Sequence, residues 1–476
     1  MDSLHVAIIG AYGSAGVAAA DELLERTDES DHDIHLTLID GGDPGGGLCI
    51  LEGCMPSKDV LSAAQHRYQA RHDDRLGGAP AVDPERVVAT KDDHIHGFAE
   101  HRRSHVHDLA ERDDVDFFDE YARFLDDRTI AVGDRTIEPD YVVIATGSTL
   151  NVPDLPGIED VQYHSSADVL DATTFPDSAV VMGFGYIGLE LVPYLSEVGG
   201  VDLTVIEHDD HPLDEFDPAF GETILDLYRE HFGVEILTNA DEKRFERPAD
   251  GGIRLLVDQD GIETAREADH LYLFTGRQPN VDGLGLENTA LEAEQGWIES
   301  TMQADADDRT FVVGDVNGRE PILHVAKEEG FAAGANVLRH ARGEELEPYA
   351  NVPHHVIFSG LGVYPVARIG HTPETARESA MDTVVVTREA SSDGVFKTKN
   401  HPEGVATLVV NADDGTVLGY QGLHLHADVM AKTMQIVVEL GMDVRDLPDR
   451  AYHPTTPEIL DGLVRDAVAE LETESV

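Results

Sequence analysis

The segment Ser-Ala-Val-Val-Met-Gly-Phe-Gly-Tyr-Ile-Gly-Leu-Glu, Ser178 to Glu190, constrains the fold of this 476-residue chain more than any other. An apolar run of strand length enters a turn that places Gly183, Gly185 and Gly188 in G-x-G-x-x-G spacing. A helical stretch follows, and Leu-Thr-Val-Ile-Glu then ends at Glu207. Strand, glycine turn, helix and second strand make a βαβ unit. Its helix N-terminus aims backbone N–H groups at a pyrophosphate, and the closing acid accepts from an adenosine ribose. A 2′-phosphate would call for arginine, and none occurs from His208 to Phe216, so the pattern favours NAD over NADP.

A second unit of this kind opens the chain. His-Val-Ala-Ile-Ile-Gly-Ala-Tyr-Gly-Ser-Ala-Gly leads into a helical stretch, and Leu-Thr-Leu-Ile-Asp ends at Asp40. Here Gly10, Gly13 and Gly16 are spaced G-x-x-G-x-x-G, one residue longer than the usual fingerprint.

Just beyond this unit lie the chain's only two cysteines, Cys49 and Cys54, in Gly-Gly-Gly-Leu-Cys-Ile-Leu-Glu-Gly-Cys-Met-Pro-Ser-Lys. A disulfide needs Cα atoms roughly 4.4 to 6.8 Å apart, and five extended residues would span roughly 16 Å, so the segment must coil to close. Gly53 permits that, and Pro56 suits a helix start. Thiols in a first helical turn feel its positive end and are biased towards the reactive thiolate. Buried apolar cysteines, or half of a zinc site, remain open on the residues alone, although no second thiol pair exists to complete four ligands.

Further motifs extend the pattern along the chain: Ala-Thr-Gly-Ser at Ala145–Ser148, Phe-Thr-Gly-Arg-Gln-Pro-Asn at Phe274–Asn280, Val-Val-Gly-Asp-Val around Gly314 and Asp315, and His-Val-Ala-Lys-Glu-Glu-Gly after it. Near the C-terminus stands Ala-Tyr-His-Pro-Thr-Thr-Pro-Glu. Together these resemble, essentially end to end, the FAD-dependent pyridine nucleotide-disulfide oxidoreductases, the family of dihydrolipoyl dehydrogenase, glutathione reductase and mercuric reductase. The resemblance is strongest to dihydrolipoyl dehydrogenase.

The resemblance implies an α/β fold with two Rossmann-like domains, for FAD and NAD, and a C-terminal α+β dimerisation domain. FAD binding would fall to residues 1–150 and 280–345, NAD binding to 151–279 and the interface to 346–476. It assigns Gly10, Gly13, Gly16, Asp40, Lys58, Thr146, Gly147, Gly314 and Asp315 to FAD, and Gly183, Gly185, Tyr186, Gly188, Glu207 and Gly276 to NAD. Cys54 matches the flavin-contacting cysteine and Cys49 the one that exchanges with substrate. His453 and Glu458 match an acid–base pair that serves the disulfide of the opposite subunit, hence a homodimer. Lys58 and Glu190 match an ion pair beside the flavin, and Tyr186 a gate over the nicotinamide pocket. The implied reaction is oxidation of a small or lipoyl-linked dithiol with NAD, dihydrolipoamide first. A 2-oxoacid dehydrogenase complex is a partner to test. The alternatives are an NAD(P)H-dependent reductase of a low-mass disulfide, a mercuric-reductase-like enzyme, or a flavoprotein whose main role is binding. Retention of His453 and Glu458 and the lack of an extra cysteine pair argue against mercury.

The chain departs from the family pattern at Leu48 and Leu51, where threonine and asparagine are usual, and in Ile-Phe-Ser-Gly-Leu-Gly-Val-Tyr-Pro after Val356. Phe396–Lys399, Ala406–Ala412 and Val417–Leu423 read as strands of the last domain, with a turn at Asp413-Asp414-Gly415.

The chain carries 93 acidic residues against 34 basic ones, a net charge of −59. Such self-repulsion is screened as the Debye length falls to roughly 3 Å in molar salt, which points to a halophile. Without a basic patch, nucleic acid and anionic membranes are poor partners. No apolar run reaches the roughly 18 residues of a membrane span, and no charged leader is visible, so a cytoplasmic location is expected. His94, His96, His101, His105 and His107 crowd one segment, which is expected to be an exposed helix without a metal.

Overall fold

In a computed structural model, residues 3–26, 33–213, 215–246, 251–293, 296–450 and 453–474 are described. The chain divides into two units, each assembled from three separate segments.

The first comprises Met1–Pro56, Thr90–Asn151 and Arg277–Asn351. Its six-stranded sheet runs in the order Gln303–Ala304, Asp307–Val312, Tyr141–Ile144, Leu4–Ile9, Ile34–Ile39 and Val115–Phe118. All pairings are parallel except that of Gln303–Ala304 with Asp307–Val312. Strands covered on both faces need apolar side chains at successive positions, which is why Val6, Ala7, Ile8 and Ile9 are all buried. Against this sheet the helices Ser14–Glu25 and Leu323–Ala341 meet through small residues. A side chain added at Gly330 would overlap the Ala15 carbonyl oxygen, and one at Gly334 would come within 3.1 Å of that of Ala19. The segment with five histidines lies on the helix Pro84–Leu109, as expected. His105 bonds Asp21 at 2.9 Å and His107 meets the Tyr12 hydroxyl at 2.7 Å. Among the described residues no group of three or more His, Cys, Asp or Glu is arranged to hold a metal.

The second unit comprises Ser57–Ala89, Val152–Gly276 and Val352–Val476. It holds a parallel sheet ordered Glu235–Leu237, Asp202–Ile206, Ser178–Met182, His270–Leu273 and Tyr163–His164. The antiparallel strands Ala240–Glu246, Ile253–Gln259 and Ile262–Ala268 accompany it. A separate antiparallel sheet, ordered His354–Ile357, Val366–Gly370, Val417–His424, Gly404–Asn411 and Thr383–Glu389, carries the helices Ala427–Glu439 and Glu458–Glu474. The turn at 413–415 forms as the residues predict, with the Asp413 and Gly415 N–H groups donating to Asn411. Phe396–Lys399 does not form a strand. Residues Gly394–Thr398 are a short helix, closed by the Lys399 N–H donating to the Val395 carbonyl at 3.1 Å, with Val395 and Phe396 both buried.

Among the described residues no helix is long and apolar enough to cross a membrane.

Two outcomes follow from burial and charge. With a net charge of −59, thermal unfolding should move upward when KCl rises from about 0.2 M to about 3 M; a melting temperature independent of salt would contradict this. Glu329 is 2 % exposed, its Oε2 accepts from the Gly314 N–H at 2.7 Å and Asn317 Nδ2 at 2.8 Å, and burial pushes its carboxyl up to about 7. Between the unfolded and folded values only the folded chain holds this proton, so the contribution to stability is lost as pH rises. Glu329→Gln should therefore match the parent near pH 5 and exceed it at about pH 8 by on the order of 2–3 kcal/mol, read by denaturant unfolding of the flavin-free chain.

Candidate functional site

Within the first unit the two cysteines are joined in a disulfide with Cα atoms 5.1 Å apart. One helical turn, Leu48–Leu51, and the start of the helix Cys54–His72 supply the coil the spacing requires. Gly53 is needed for close approach rather than for an unusual dihedral. A side chain there would come within 2.9 Å of Cys49 Cα and 3.0 Å of the Leu48 carbonyl oxygen. Cys49 is half-buried and Cys54 exposed, so the bond can be reached by a thiol. Pro56 sits in the first turn, where its missing N–H costs no helical bond.

The irregular glycine loop resolves into the same corner as the regular one. Gly10 has φ +95° and Gly183 φ +92°, and a side chain at either would overlap the carbonyl oxygen of Ala145 or Phe274 respectively. The Gly10 N–H bonds the Ile39 carbonyl as the Gly183 N–H bonds that of Ile206. Gly13 and Gly185 are the N-caps of the helices Ser14–Glu25 and Tyr186–Tyr194, with no side chain capping either. Gly16 and Gly188 each stand three residues beyond the cap, against the carbonyl of the first glycine. The extra residue of the first loop thus lies wholly before the cap and leaves the helix in phase.

Asp40, beyond the end of Ile34–Ile39, accepts from the Tyr12 N–H at 2.8 Å and the Gly42 N–H at 2.9 Å, while burial pushes its carboxyl up from the ordinary range. Around Thr146 and Gly147 the chain is braced by Asn280, whose carbonyl accepts from the Thr146 hydroxyl at 2.7 Å and whose N–H donates to the Gly147 carbonyl at 2.9 Å. Asp315 accepts from the Ser148 hydroxyl at 2.7 Å. The half-buried Arg277 donates to that hydroxyl at 2.9 Å and to the Ser148 carbonyl at 2.7 Å. A side chain added at Gly147 would meet no atom within 4 Å, while one at Gly314 would come within 3.2 Å of Ala15 Cβ. A capless helix N-terminus, a ribose-height carboxylate and open space over Gly147 fit FAD.

In the second unit Lys58 and Glu190 form the expected ion pair, Lys58 Nζ lying 2.6 and 2.7 Å from the two carboxylate oxygens. The sequence did not announce the rest of this group. Glu190 also accepts from the Phe358 N–H at 3.1 Å and the Ser57 hydroxyl at 3.3 Å, and Lys58 Nζ stands 4.8 Å from the centre of the Phe358 ring. Its partners lie far apart in the chain, so no local pattern signals them. Tyr186 packs edge-on to His355 with ring centres 4.2 Å apart, and its hydroxyl donates to Glu215. Glu207 accepts from the Asp209 N–H at 3.1 Å and its carboxyl is pushed up by burial. The neighbouring His208 is raised to about 9, chiefly by its hydrogen bond with Glu242. Side chains added at Gly185 and Gly276 would meet nothing within 4 Å, which leaves room for a dinucleotide.

His453 Nδ1 meets Glu458 Oε1 at 2.8 Å, and the same oxygen accepts from the Thr455 N–H at 3.1 Å. The imidazole side chain is 81 % exposed, so its second nitrogen faces outward, available to another molecule. Chemically the chain thus offers an accessible disulfide, a carboxylate-oriented imidazole and two helix N-termini capped by glycine, with no side chain in the way.

Comparison with known proteins matches residues 4–330 to pyridine nucleotide-disulphide oxidoreductase and 355–463 to the dimerisation domain of that family. Similar relatives include a dihydrolipoyl dehydrogenase of Haloferax volcanii, 28 % identical over 92 % of both chains, and dihydrolipoyl dehydrogenase 2 of Haloarcula marismortui, 30 % identical over 92 % of both. A mercuric reductase of Staphylococcus aureus is 27 % identical over 93 % of this chain and 78 % of its own. Among solved structures, LpdA of Mycobacterium tuberculosis has a TM-score of 0.80 at 21 % identity, covering 97 % of this chain and 99 % of its own. The HOCl-induced flavoprotein disulfide reductase RclA of Escherichia coli has a TM-score of 0.78 at 23 % identity, covering 97 % and 99 %. The fold, the disulfide and the extent of the match together make this chain a member of the pyridine nucleotide-disulfide oxidoreductase family.

Proposed function

We propose that this chain oxidises dihydrolipoamide, free or lipoyl-linked, with NAD as acceptor. The observation that carries the reading is the hydrogen-bonded and outward-facing His453–Glu458 pair in a chain that also holds the Cys49–Cys54 disulfide. An imidazole oriented by a carboxylate at one nitrogen can take a proton at the other, which a dithiol must give up to attack a disulfide. The halophilic relatives named dihydrolipoyl dehydrogenase support the same substrate.

In this reading His453 takes the proton of the incoming thiol, and the thiolate attacks Cys49 Sγ. The Cys49–Cys54 bond breaks, and Cys54 leaves as a thiolate steadied by the N-terminus of its helix. The second substrate thiol then attacks the substrate sulfur of the mixed disulfide, its proton passing to the departing Cys49 sulfur, so the substrate leaves as a disulfide and its two electrons remain on the cysteine pair. FAD, when bound, supplies the two-electron chemistry that links this dithiol to the nicotinamide. Gly10, Gly13, Gly16, Asp40, Thr146, Gly147, Gly314 and Asp315 would hold it. Lys58, anchored by Glu190, would place a cation beside it. Gly183, Gly185, Gly188, Gly276 and Glu207 would hold NAD, with Tyr186 as the gate. His208, the residue after Glu207, is already engaged by Glu242, which leaves it little to offer a 2′-phosphate.

We also propose the domain division 1–150 with 280–345 for FAD, 151–279 for NAD and 346–476 for the interface. The helix Ala427–Glu439 and its cap expose Val429, Ile436 and Leu440 at 68 %, 46 % and 71 %, one face at helical spacing. Such a stripe suits a homodimer contact in which each His453 serves the other subunit's disulfide. A 2-oxoacid dehydrogenase complex would be the macromolecular partner.

NADH formation from dihydrolipoamide and NAD, measured in about 3 M KCl, should be rapid. Cys49→Ser should abolish it while FAD remains bound. His453→Gln should lower it by roughly 10²- to 10⁴-fold while NADH still drives reduction of an artificial acceptor. NADP should serve at least about tenfold less well in kcat/KM, since one mismatched ribose contact is worth of that order. NADH consumption with a small disulfide, and no activity with dihydrolipoamide, would instead favour a reductase.

A further inference from the structure

The turn that carries the proposed acid–base pair is tied down by a side chain with no part in the chemistry described above. Glu458 Oε1 holds both His453 Nδ1 and the Thr455 N–H, so the orientation of the imidazole depends on where Thr455 lies. The next residue, Thr456, is 5 % exposed, and its hydroxyl meets Nδ1 of His426 at 3.0 Å. His426 stands thirty positions upstream, at the N-cap of the helix Ala427–Glu439, with φ 71° and ψ 20°. That left-handed conformation is uncommon outside glycine, and asparagine, aspartate and histidine adopt it more readily than other side chains. The position therefore admits only a few residue types, and of these histidine places a ring nitrogen on Thr456.

The surroundings account for the imidazole's state. Its protonated form is disfavoured, first by burial and then by Lys399, with Asp428 opposing. The adjacent His424 is fully buried, bonded to the Tyr420 hydroxyl and the Leu425 carbonyl at 3.0 Å each, and is itself lowered to about 4 by burial. With its charged form disfavoured, His426 meets the buried Thr456 through a hydrogen bond of 3.0 Å.

We propose that His426 is a positioning residue for the acid–base pair: through Thr456 it holds the 453–458 turn so that Glu458 keeps the His453 imidazole aimed at substrate. This rests on the reading of His453 as the substrate's proton acceptor. His426 touches no reacting atom, and its effect passes entirely through the turn.

The distinguishing experiment uses the FAD-loaded protein and two rapid-mixing half-reactions, flavin reduction by dihydrolipoamide and flavin reduction by NADH. His426→Gly relaxes the backbone and removes the anchor. His426→Asn tolerates the left-handed conformation and places an amide atom at the bond distance from Cα that Nδ1 occupies, so it restores the anchor. His426→Gly should slow the dithiol half-reaction by roughly ten- to a hundredfold, as a misplaced catalytic group does, and leave the NADH half-reaction and the melting temperature unchanged. His426→Asn should recover most of the loss, and Thr456→Val should reproduce it. A glycine variant as fast as the parent with dithiol, or glycine and asparagine variants slowed alike, would overturn the assignment. His453→Gln separates the two levels. If it too is as fast as the parent, the acid–base reading falls and carries this inference with it. If it is slow while His426→Gly is not, only the anchor falls.

Discussion

The two glycine corners of this chain depend on bringing two stretches of backbone closer than a side chain allows. At Gly10 and at Gly183 the first strand of a βαβ unit turns into its helix within overlap distance of another strand's carbonyl, at Ala145 and Phe274. That contact fixes where the helix N-terminus points, and with it a set of N–H donors with no partner inside the helix. In the first unit the same approach recurs between helices, where Gly330 and Gly334 let Leu323–Ala341 lie on Ala15 and Ala19. The turn at Gly314 then sits against Ala15 and Ala326, which places Asp315 and its Ser148 partner. Larger residues at these points would separate the sheet from its helices, and no side-chain hydrogen bond could compensate.

This explains which parts of the site were legible in the sequence. The glycine corners, Asp40, Glu207 and the cysteine segment are local features, because each function needs a particular residue within a few positions of a strand end. Even the longer spacing of the first loop proved harmless, since its additional residue falls before Gly13 caps the helix. The parallel strands were equally plain as apolar runs. What could not be read was long-range. Ser57, Phe358 and Glu190 converge from three parts of the chain, and Glu329 reaches back fifteen residues to the Gly314 turn. Phe-Lys-Thr-Lys alternates like a strand, yet this stretch closes into a helical turn whose Val395 and Phe396 are packed against residues distant in the chain, which the local pattern does not announce. The unusual backbone at His426 gave no signal at all, because nothing local distinguishes a left-handed histidine from an ordinary one.

The acidic surplus and the interior obey different electrostatics. Surface carboxylates repel one another through water and are screened within a Debye length of a few ångströms in concentrated salt. Buried pairs are screened much less. Glu197 has a side chain only 1 % exposed and takes Arg67 at 3.0 Å and Arg71 at 2.6 Å. Glu190, 13 % exposed, takes Lys58, and Asp393, 10 % exposed, takes Arg388 at 2.8 Å. A chain with 34 basic residues among 93 acidic ones commits several of its scarce cations to such interior pairs. The result is a division of labour. On this charge balance, salt is expected to act on folding through the many weak surface repulsions. The geometry around Lys58 and Glu190 is instead set by direct bonds of 2.6 to 2.7 Å.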